Sequence, residues 1–336
     1  MARIALDAMG GDFAPQATVA GALLALGELD SAHSIQLVGQ TAVINSQLDS
    51  LLAGELAASA GQRARIEIIE APDVIEMTDK PAAVIRGRPN SSMIVGLKLQ
   101  PKGQSDAFVS AGNTGAQMAA SMVVLKLHEG LSRPAIATMF PTARQSVVVL
   151  DSGANVDCAA EELVQFARLG AVYAECVLGR ANPAVGLLSI GEEEEKGNAA
   201  VKEAHKLLLA AGLNFIGNVE GRDLPRGACD RGPVDVVVCD GFVGNVVLKF
   251  YEAIAPFVMG TLVKAGIDQK QIGAALKQLD YSEHGGAPLL GVRGVSIISH
   301  GKSSPRAIKN ALKAAVRAVD SGMNEHIGRR LERGAA

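Results

Sequence analysis

Short runs of β-branched and other apolar residues alternate along the chain with longer segments rich in alanine and leucine. A short apolar run predicts a buried strand, and a longer segment predicts a helix. Repeated strand–helix units predict a largely parallel sheet flanked by helices. The predicted strands are residues 4–6, 35–38, 66–69, 107–109, 147–150, 185–188, 215–216, 234–238 and 295–298. The pattern therefore predicts an α/β fold.

Six loops that follow predicted strands combine glycine with small hydrogen-bonding side chains. They are residues 8–12, 110–115, 151–155, 217–223, 240–245 and 299–304. In open parallel sheets ligands bind beyond the carboxyl ends of the strands, so these loops are where chemistry is expected. Backbone N–H groups, hydroxyls and carboxamides suit a small oxyanion such as phosphate. One such loop alone would indicate an ordinary turn, whereas six at one edge favour a phosphate site.

Three other patterns concern helices. Apolar residues wrap most of the segment 243–265, which Pro256 divides, and this indicates either core and dimer interface, which we favour, or a hydrophobic edge that contacts lipid. A final helix begins at Pro305. It carries a basic stripe that is typical of a solvated face, formed by Arg306, Lys309, Lys313 and Arg317. The acidic run 192–195 predicts a helix start, where carboxylates meet the positive end of the helix dipole.

Length and charge narrow the class of protein. A chain of 336 residues predicts one catalytic unit over residues 1–336, built either as a single α/β domain or as two lobes around a cleft. Lys plus Arg total 32 against 35 for Asp plus Glu, and tryptophan is absent, so nucleic-acid binding is not expected. The first residues enter a strand pattern directly, without a secretory signal, which predicts a cytoplasmic protein.

Several known active-site types are absent from the sequence. There is no Gly-x-x-x-x-Gly-Lys-Ser/Thr loop, and Gly10-Gly11 does not extend to Gly-x-Gly-x-x-Gly, so ATP and NAD are poorly supported. There is no Gly-x-Ser-x-Gly elbow for a serine nucleophile. The four cysteines are scattered without a Cys-x-x-Cys pair, so no zinc site is indicated. Cys239 lies in a valine-rich strand, where burial disfavours a nucleophilic role.

Two loops are the best predicted phosphate cradles. In the first, Ser110 and Thr114 offer hydroxyls and Asn113 offers a carboxamide, just before a predicted helix whose amino end would face the anion. In the second, Lys302 supplies a cation, and Ser303 or Ser304 caps the helix that Pro305 opens. For the first loop, a simple capped helix start is the alternative.

The predicted catalytic residues are Asn218, Arg222 and His300. Asn218 and Arg222 belong to the densest polar cluster after any strand, in which Arg222 can hold phosphate or form a structural salt bridge. His300 is the only histidine in these loops and can be a general acid or base, or a structural residue.

Four further residues of the loops are predicted to support the site: Asp12, Asn155, Asp240 and Asn245. Asp12 is expected to orient a cation or a backbone N–H rather than to touch phosphate, because its charge would repel an anion. Asp7 is expected to be structural only.

Taken in order, these loops resemble the bacterial PlsX family of phosphate acyltransferases. Examples are Asp-Ala-Met-Gly-Gly-Asp at 7–12, Ser-Ala-Gly-Asn-Thr-Gly-Ala at 110–116 and Asp-Gly-Phe-Val-Gly-Asn at 240–245. The resembling segments span nearly the whole chain: 4–15, 74–81, 91–93, 110–116, 150–155, 217–223, 240–245, 285–291 and 300–301.

The resemblance implies transfer of a long-chain fatty acyl group from the thioester of acyl carrier protein to inorganic phosphate, giving acyl phosphate for phospholipid synthesis. It implies a homodimer with no metal or organic cofactor, and peripheral association with the membrane, where a downstream glycerol-phosphate acyltransferase uses the product. The implied fold is an α/β/α sandwich similar to phosphotransacetylase and to the isocitrate and isopropylmalate dehydrogenases.

An acidic carrier protein would need a basic docking patch, for which Lys80, Arg86 and Arg88, or the basic stripe of the last helix, are candidates. Two alternatives stay open at this point. One is an enzyme of the phosphotransacetylase type that uses short acyl-CoA, and the other is a non-catalytic phosphate-binding protein.

Overall fold

The computed structural model describes residues 1–268 and 285–333, and the chain divides into two compact units. The first unit comprises Met1–His128 and His284–Asn324, and the second comprises Glu129–Glu283 and Glu325–Ala336. Each unit is therefore built from two separate stretches of chain. A cleft between two lobes stays a prediction.

The secondary structure alternates between strands and helices through most of the chain. In chain order the elements are β1 (Arg3–Asp7), α1 (Gln16–Glu28), β2 (Ser34–Gly39), α2 (Thr41–Ala53), β3 (Ile66–Glu70), α3 (Pro81–Gly87), α4 (Ser92–Leu99), β4 (Ala107–Ser110), α5 (Thr114–Val124), β5 (Ala135–Ile136), β6 (Thr138–Phe140), β7 (Val147–Leu150), α6 (Ala160–Cys176), β8 (Val185–Leu188), α7 (Ala199–Leu209), β9 (Phe215–Val219), β10 (Ala228–Cys229), β11 (Gly232–Pro233), β12 (Val236–Val238), α8 (Gly241–Lys264), β13 (Ala287–Leu290), β14 (Ser296–Ile298), α9 (Pro305–Asp320) and α10 (Met323–Arg333). Two 3₁₀ helices cover Ala57–Arg65 and Gly221–Asp223.

In the first unit the strands follow the order β3-β2-β1-β4-β14-β13. Neighbouring strands are parallel except for the antiparallel pair β13–β14. Because β1, β4 and β14 run in the same direction, their carboxyl ends meet at one edge of the sheet. Helix α1 packs closely on α9 at Gly21, where an added Cβ would lie 2.6 Å from Ile308.

In the second unit the strand order is β6-β7-β12-β8-β9. Strands β7, β12, β8 and β9 are parallel, and β6 pairs with β7 in the antiparallel direction. A buried cluster that includes Phe140, Val237 and Cys239 fills the core on one side of this sheet. The loops after β7, β12, β8 and β9 therefore share one edge, as the loops of the first unit do.

All nine predicted strands overlap observed strands, and the predicted α/β class is confirmed. The strands divide between two sheets rather than forming one, because the strand–helix pattern does not specify which strands pair. The helix start predicted at 192–195 is wrong. Helix α7 begins only at Ala199, because Gly197 takes a left-handed conformation, with φ of 107°, and the side chain of Asn198 caps the helix by accepting from Val201 N at 2.9 Å.

The predicted apolar helix is observed as α8, which runs through Pro256 without ending. One side packs on the core of the second unit, where the hydroxyl of Tyr251 donates to the carbonyl of Pro141 at 2.5 Å. Other large apolar side chains of α8 are exposed: Phe242, Val243, Val246, Phe250, Phe257 and Val263. Among the described helices α8 alone is long and apolar enough to cross a bilayer, a criterion of length and composition that core helices also meet.

The basic stripe of α9 is partly neutralised. The ammonium groups of Lys309 and Lys313 each lie 2.7 Å from the Glu28 carboxylate on α1, and these hydrogen bonds lower the pKa of Glu28 from 4.5 to about 2. A carboxyl whose pKa is lowered by folding stabilises the fold above its unfolded pKa, and that stabilisation is lost as the pH falls toward its folded pKa.

We therefore expect Glu28→Gln to lower the free energy of unfolding at pH 7 by about 1 kcal/mol or less, because the pair is partly exposed to solvent. The difference from wild type should shrink between pH 4.5 and about pH 2. Denaturant unfolding across this range measures it, with Asp49→Asn, which changes an exposed acid on α2, as the control. A difference that does not change with pH would contradict the assignment.

Candidate active site

Three strand-end loops of the first unit meet at one edge of the sheet. They follow β1, β4 and β14, and backbone hydrogen bonds tie them together: Asp12 N donates to Gly301 O at 2.8 Å, and Ser299 N donates to Ser110 O at 2.8 Å. The two predicted phosphate cradles, 110–115 and 299–304, therefore belong to one cluster.

The adjacent glycines of the first loop are required by close packing. An added Cβ on Gly10 would lie 2.5 Å from Oδ2 of Asp7 and 2.9 Å from Gly112 N. Gly11 has a φ of 108°, and its added Cβ would lie 3.1 Å from Gly301 O. The loop after β1 thus supports the neighbouring loops by letting them approach.

Asp7 lies beneath these glycines and is only 2% exposed. Its Oδ2 accepts from the Ser110 hydroxyl at 2.7 Å, and its Oδ1 accepts from Met9 N at 3.2 Å. The Ser110 oxygen in turn accepts from Gly112 N at 3.0 Å. Burial raises the pKa of Asp7, while hydrogen bonds, first among them those from Ser92 and Ser110, act to lower it.

The side chain of Asn113 forms hydrogen bonds with two parts of the first unit, the start of α5 and the segment 76–79. Its Oδ1 caps α5 by accepting from Ala116 N at 3.0 Å. Its Nδ2 donates to the carbonyls of Met77 at 3.1 Å and Asp79 at 2.9 Å, so it also holds the segment 76–79. To bind phosphate, Asn113 would have to give up one of these bonds. Thr114, the first residue of α5, is exposed.

The loop after β14 presents both exposed and buried side chains. His300 and Lys302 are exposed, and Nδ1 of His300 accepts from Lys302 N at 3.1 Å. Ser303 is buried, with its hydroxyl 2.9 Å from that of Ser299, while Ser304 caps α9 by accepting from Ala307 N at 3.3 Å. Among the predicted phosphate ligands, Thr114 and Lys302 are therefore exposed, whereas Ser110, Asn113 and Ser303 are buried.

The second unit holds a comparable buried carboxylate. Asp151, directly after β7, is fully buried, and its Oδ1 accepts from the N–H groups of Ile136 at 3.0 Å, Gly153 at 3.2 Å and Ala154 at 3.1 Å. Its Oδ2 accepts from the N–H of Asn155 at 2.6 Å and from Nδ2 of Asn155 at 2.8 Å. Burial raises the pKa of Asp151, and the hydrogen bonds act to lower it.

The predicted supporting residues of the second unit gather around this carboxylate. Asn155 also donates to Pro134 O at 2.8 Å, and its carbonyl accepts from Gly241 N at 2.7 Å. Asp240 caps α8 by accepting from Val243 N at 2.8 Å. Asn245 lies beside Gly153, whose added Cβ would be 3.6 Å from Oδ1 of Asn245.

Asn218 and Arg222 have different surroundings. Asn218 is fully buried: its Oδ1 lies 2.9 Å from Nδ1 of His205, and its Nδ2 donates to Glu193 O at 2.7 Å. The sequence pattern does not single out His205, which is buried on α7. The Arg222 side chain is 65% exposed and pairs with Glu220 at 2.9 Å and with Glu192 at 3.4 Å, the structural salt bridge that was the alternative for this residue.

The predicted catalytic residues belong to different units. His300 lies in the first unit, and Asn218 and Arg222 lie in the second. Their catalytic roles stay predictions.

Two cysteines near Asp151, Cys158 and Cys239, have thiols whose pKa is raised. Cys239 is buried, and its thiol donates to Asp151 O at 3.6 Å. Burial raises the pKa of Cys239 well above its ordinary value, and burial raises that of Cys158 to about 12. Because the thiolate is the nucleophilic form, both thiols are poor nucleophiles at neutral pH.

The predicted docking residues also differ from one another. Lys80 and Arg86 are exposed at the two ends of α3. Arg88 instead pairs with Asp79 at 3.1 Å and donates to the carbonyl of Val74. Arg88 and Asn113 therefore both hold the segment that ends at Asp79.

The fold is that of the phosphotransacetylases. A phosphotransacetylase from Streptococcus pyogenes matches with a TM-score of 0.62 at 17% identity, covering 95% of this chain and 94% of that chain. A family model described as "Fatty acid synthesis protein" matches residues 2–326. A phosphate acyltransferase of Desulforamulus reducens is 46% identical over 99% of this chain and 98% of its own length, and one of Heliobacterium modesticaldum is 47% identical over 98% and 99%.

The chain therefore belongs to this family, the PlsX family of phosphate acyltransferases. The resemblance predicted from the loops is confirmed, and so is the prediction of an enzyme that transfers an acyl group to phosphate.

Proposed function

We propose that the enzyme takes a long-chain fatty acyl group from the thioester of acyl carrier protein and transfers it to inorganic phosphate. The observation that carries this proposal is the convergence of three glycine-rich loops in the first unit, with Lys302 and Thr114 exposed on them. The product, an acyl phosphate, supplies phospholipid synthesis. No cofactor is needed for this chemistry.

The reaction is a direct acyl transfer. A phosphate oxygen attacks the thioester carbon and forms a C–O bond, and negative charge collects on the carbonyl oxygen. The C=O double bond then re-forms as the C–S bond breaks, and the negative charge leaves on the thiolate sulfur. The thiolate leaves and takes up a proton. Phosphate is a nucleophile at neutral pH, so catalysis can consist of positioning and stabilisation of the oxyanion. The raised pKa values of Cys158 and Cys239 support a route without a cysteine acyl-enzyme.

We assign the loop residues to two proposed roles. Lys302 attracts phosphate and Thr114 donates to it, beside the first N–H groups of α5, which have no acceptor within the helix. Ser110, Asn113 and Ser303 shape the loops, as their buried hydrogen bonds support.

In the second unit, the supporting residues Asn155 and Asp240 hold the amino end of α8, and Asn245 lies beside Gly153; in the first unit Asp12 supports the loop after β14. We keep His300, Asn218 and Arg222 as the proposed catalytic residues. Of these, His300 exposes its ring on the edge that carries Lys302.

The carrier protein and the membrane are the proposed partners. Lys80 and Arg86, which are exposed, are the proposed contacts for the acidic carrier, whereas Arg88 acts through the segment it holds. The exposed apolar side chains of α8 support a homodimer and peripheral contact with the membrane. The enzyme would then work in the cytoplasm at the membrane surface, where a downstream glycerol-phosphate acyltransferase takes the labile product.

Purified enzyme with long-chain acyl carrier protein should release free thiol only when phosphate is added. The assay follows thiol release with increasing phosphate, with short acyl-CoA as the alternative donor. Thiol release without phosphate would contradict the proposal. A preference for short acyl-CoA would indicate the phosphotransacetylase type, and phosphate binding without turnover would indicate a non-catalytic protein.

A further inference from the structure

The carboxylate of Asp7 accepts hydrogen bonds on both of its oxygens. Ser110 donates to Oδ2 at 2.7 Å and Met9 N donates to Oδ1 at 3.2 Å. Because the single hydroxyl hydrogen of Ser110 points to Asp7, the Ser110 oxygen is left to accept from Gly112 N, at 3.0 Å. One buried carboxylate thus sets the direction of the hydrogen bonds in the loops after β1 and β4.

Gly112 packs closely against this arrangement. A Cβ on Gly112 would lie 3.1 Å from the Ser110 hydroxyl oxygen and 3.5 Å from Oδ2 of Asp7. Gly112 is followed by Asn113, which caps α5, so the turn that Asp7 and Ser110 hold leads directly to the amino end of that helix.

The second unit also has a buried aspartate that accepts hydrogen bonds at the end of a strand. Asp151 lies directly after a buried strand, β7, as Asp7 lies at the end of β1, and both oxygens of Asp151 accept from the loop that follows it. An added Cβ on Gly241 would lie 2.7 Å from Oδ2 of Asp151, just as one on Gly10 would lie 2.5 Å from Oδ2 of Asp7. The recurrence at the same edge of both sheets indicates that the buried carboxylate is part of how this fold builds a strand-end loop.

We infer that Asp7 is a positioning residue for phosphate: through the Ser110 hydroxyl it holds the 110–114 turn in the shape that binds the anion. This inference rests on the proposed function. Asp7 does not touch the anion, whose charge it would repel, and its effect passes through Ser110 and Gly112.

Asp7→Asn tests the inference with a minimal change of shape. Ser110 and Met9 N donate to different oxygens of Asp7, and the amide replaces one of these oxygens with an NH2 donor, so one of the two hydrogen bonds is lost. We expect the KM for phosphate to rise about tenfold while kcat at saturating phosphate changes less than about twofold. Ser110→Ala should give the same increase, and the double variant should be no worse than either single one, because Asp7 acts through Ser110.

Asp106→Asn is the matched control, because it disturbs the same two strands at their opposite ends. Asp106 lies just before β4, accepts from Arg3 N of β1 at 2.7 Å and pairs with the Arg3 side chain at 3.3 Å. It should lower thermal stability without changing the KM for phosphate. An equal increase in KM for Asp106→Asn, or additive effects of Asp7→Asn and Ser110→Ala, would reduce Asp7 to a merely structural role and overturn the inference.

Calorimetry with inorganic phosphate separates the inference from the proposed function. If wild type binds phosphate but releases no thiol, the proposed function fails, and the inference is decided by the dissociation constants of wild type and variants. Unchanged phosphate affinity in Ser110→Ala overturns the inference even if Asp7→Asn does not fold.

Discussion

Replacing Gly244 with alanine is expected to abolish acyl transfer and to destabilise the second unit. Gly244 lies on the first turn of α8, and an added Cβ would lie 1.9 Å from the carbonyl oxygen of Asp151 and 3.1 Å from Sγ of Cys239. The carbonyl of Asp151 cannot easily move away, because five hydrogen bonds to the Asp151 side chain hold the residue in place. Helix α8 must then shift and carry Asp240 and Asn245 with it.

The expected loss is about 3 kcal/mol in the free energy of unfolding, the upper range for inserting a methyl group into a packed site. For a unit of this size that corresponds to roughly 6–12 °C in Tm. Calorimetry and the thiol-release assay measure the two effects.

Gly260→Ala is the matched control in the same helix. An added Cβ at Gly260 meets nothing within 4 Å, so this variant should gain about 0.5–1 kcal/mol from the better helix propensity of alanine and keep its activity. If the two variants behave alike, the close approach of α8 to Asp151 is not a constraint on the fold.

The strands and the strand-end loops can be predicted from the sequence because both depend on local pattern. Apolar runs such as 147–150 become buried strands, and the glycine-rich loops come after them at the edge where parallel strands end. The division into two units follows from pairing. Residues 284–324 return to the first unit, where β14 pairs with β4, and no local pattern encodes which distant strand a segment joins.

The roles of individual polar residues are harder to predict from the sequence, because each role depends on which hydrogen-bond or ion-pair partner lies within about 3 Å. The sequence predicts Asn113 as a phosphate ligand and Arg88 as a docking cation, yet both side chains hold the segment 74–79. The reverse holds for Asp7 and Asp151, which have a larger role in the site than their charge suggests. They end strands in acidic loops that a phosphate would avoid, yet burial makes them the acceptors that organise those loops.

One sequence signal could have indicated these carboxylates. In both units an aspartate directly follows a short apolar run, 4–6 or 147–150, and precedes a glycine within three residues: Asp7 with Gly10, and Asp151 with Gly153. An acid at that position is buried by the strand before it and is close to the free N–H groups of the turn after it. Such an acid is therefore an organiser of the loop rather than a ligand.

Asp151→Ala is expected to cause the largest loss of stability among single side-chain truncations of Asp151, Asn155, Asp240 and Asn245. It leaves the backbone N–H groups of Ile136, Gly153, Ala154 and Asn155 without their acceptor, in a place where the carboxylate is fully buried. Buried donors without partners cost about 1–3 kcal/mol each, and water can reach the N–H of Gly153, which is exposed, so we expect a loss of about 3–5 kcal/mol. Denaturant unfolding measures it.

Asp151→Asn and Asp157→Ala complete this test. The amide of Asp151→Asn can accept on one oxygen only, so its loss should lie between wild type and Asp151→Ala. Asp157 is exposed in the following turn, and its removal should change stability by less than about 0.5 kcal/mol. If Asp151→Ala is no less stable than Asp157→Ala, the buried carboxylate does not hold the loop. In that case only the close packing of Gly241 and Gly244 against Asp151 would fix the position of the amino end of α8.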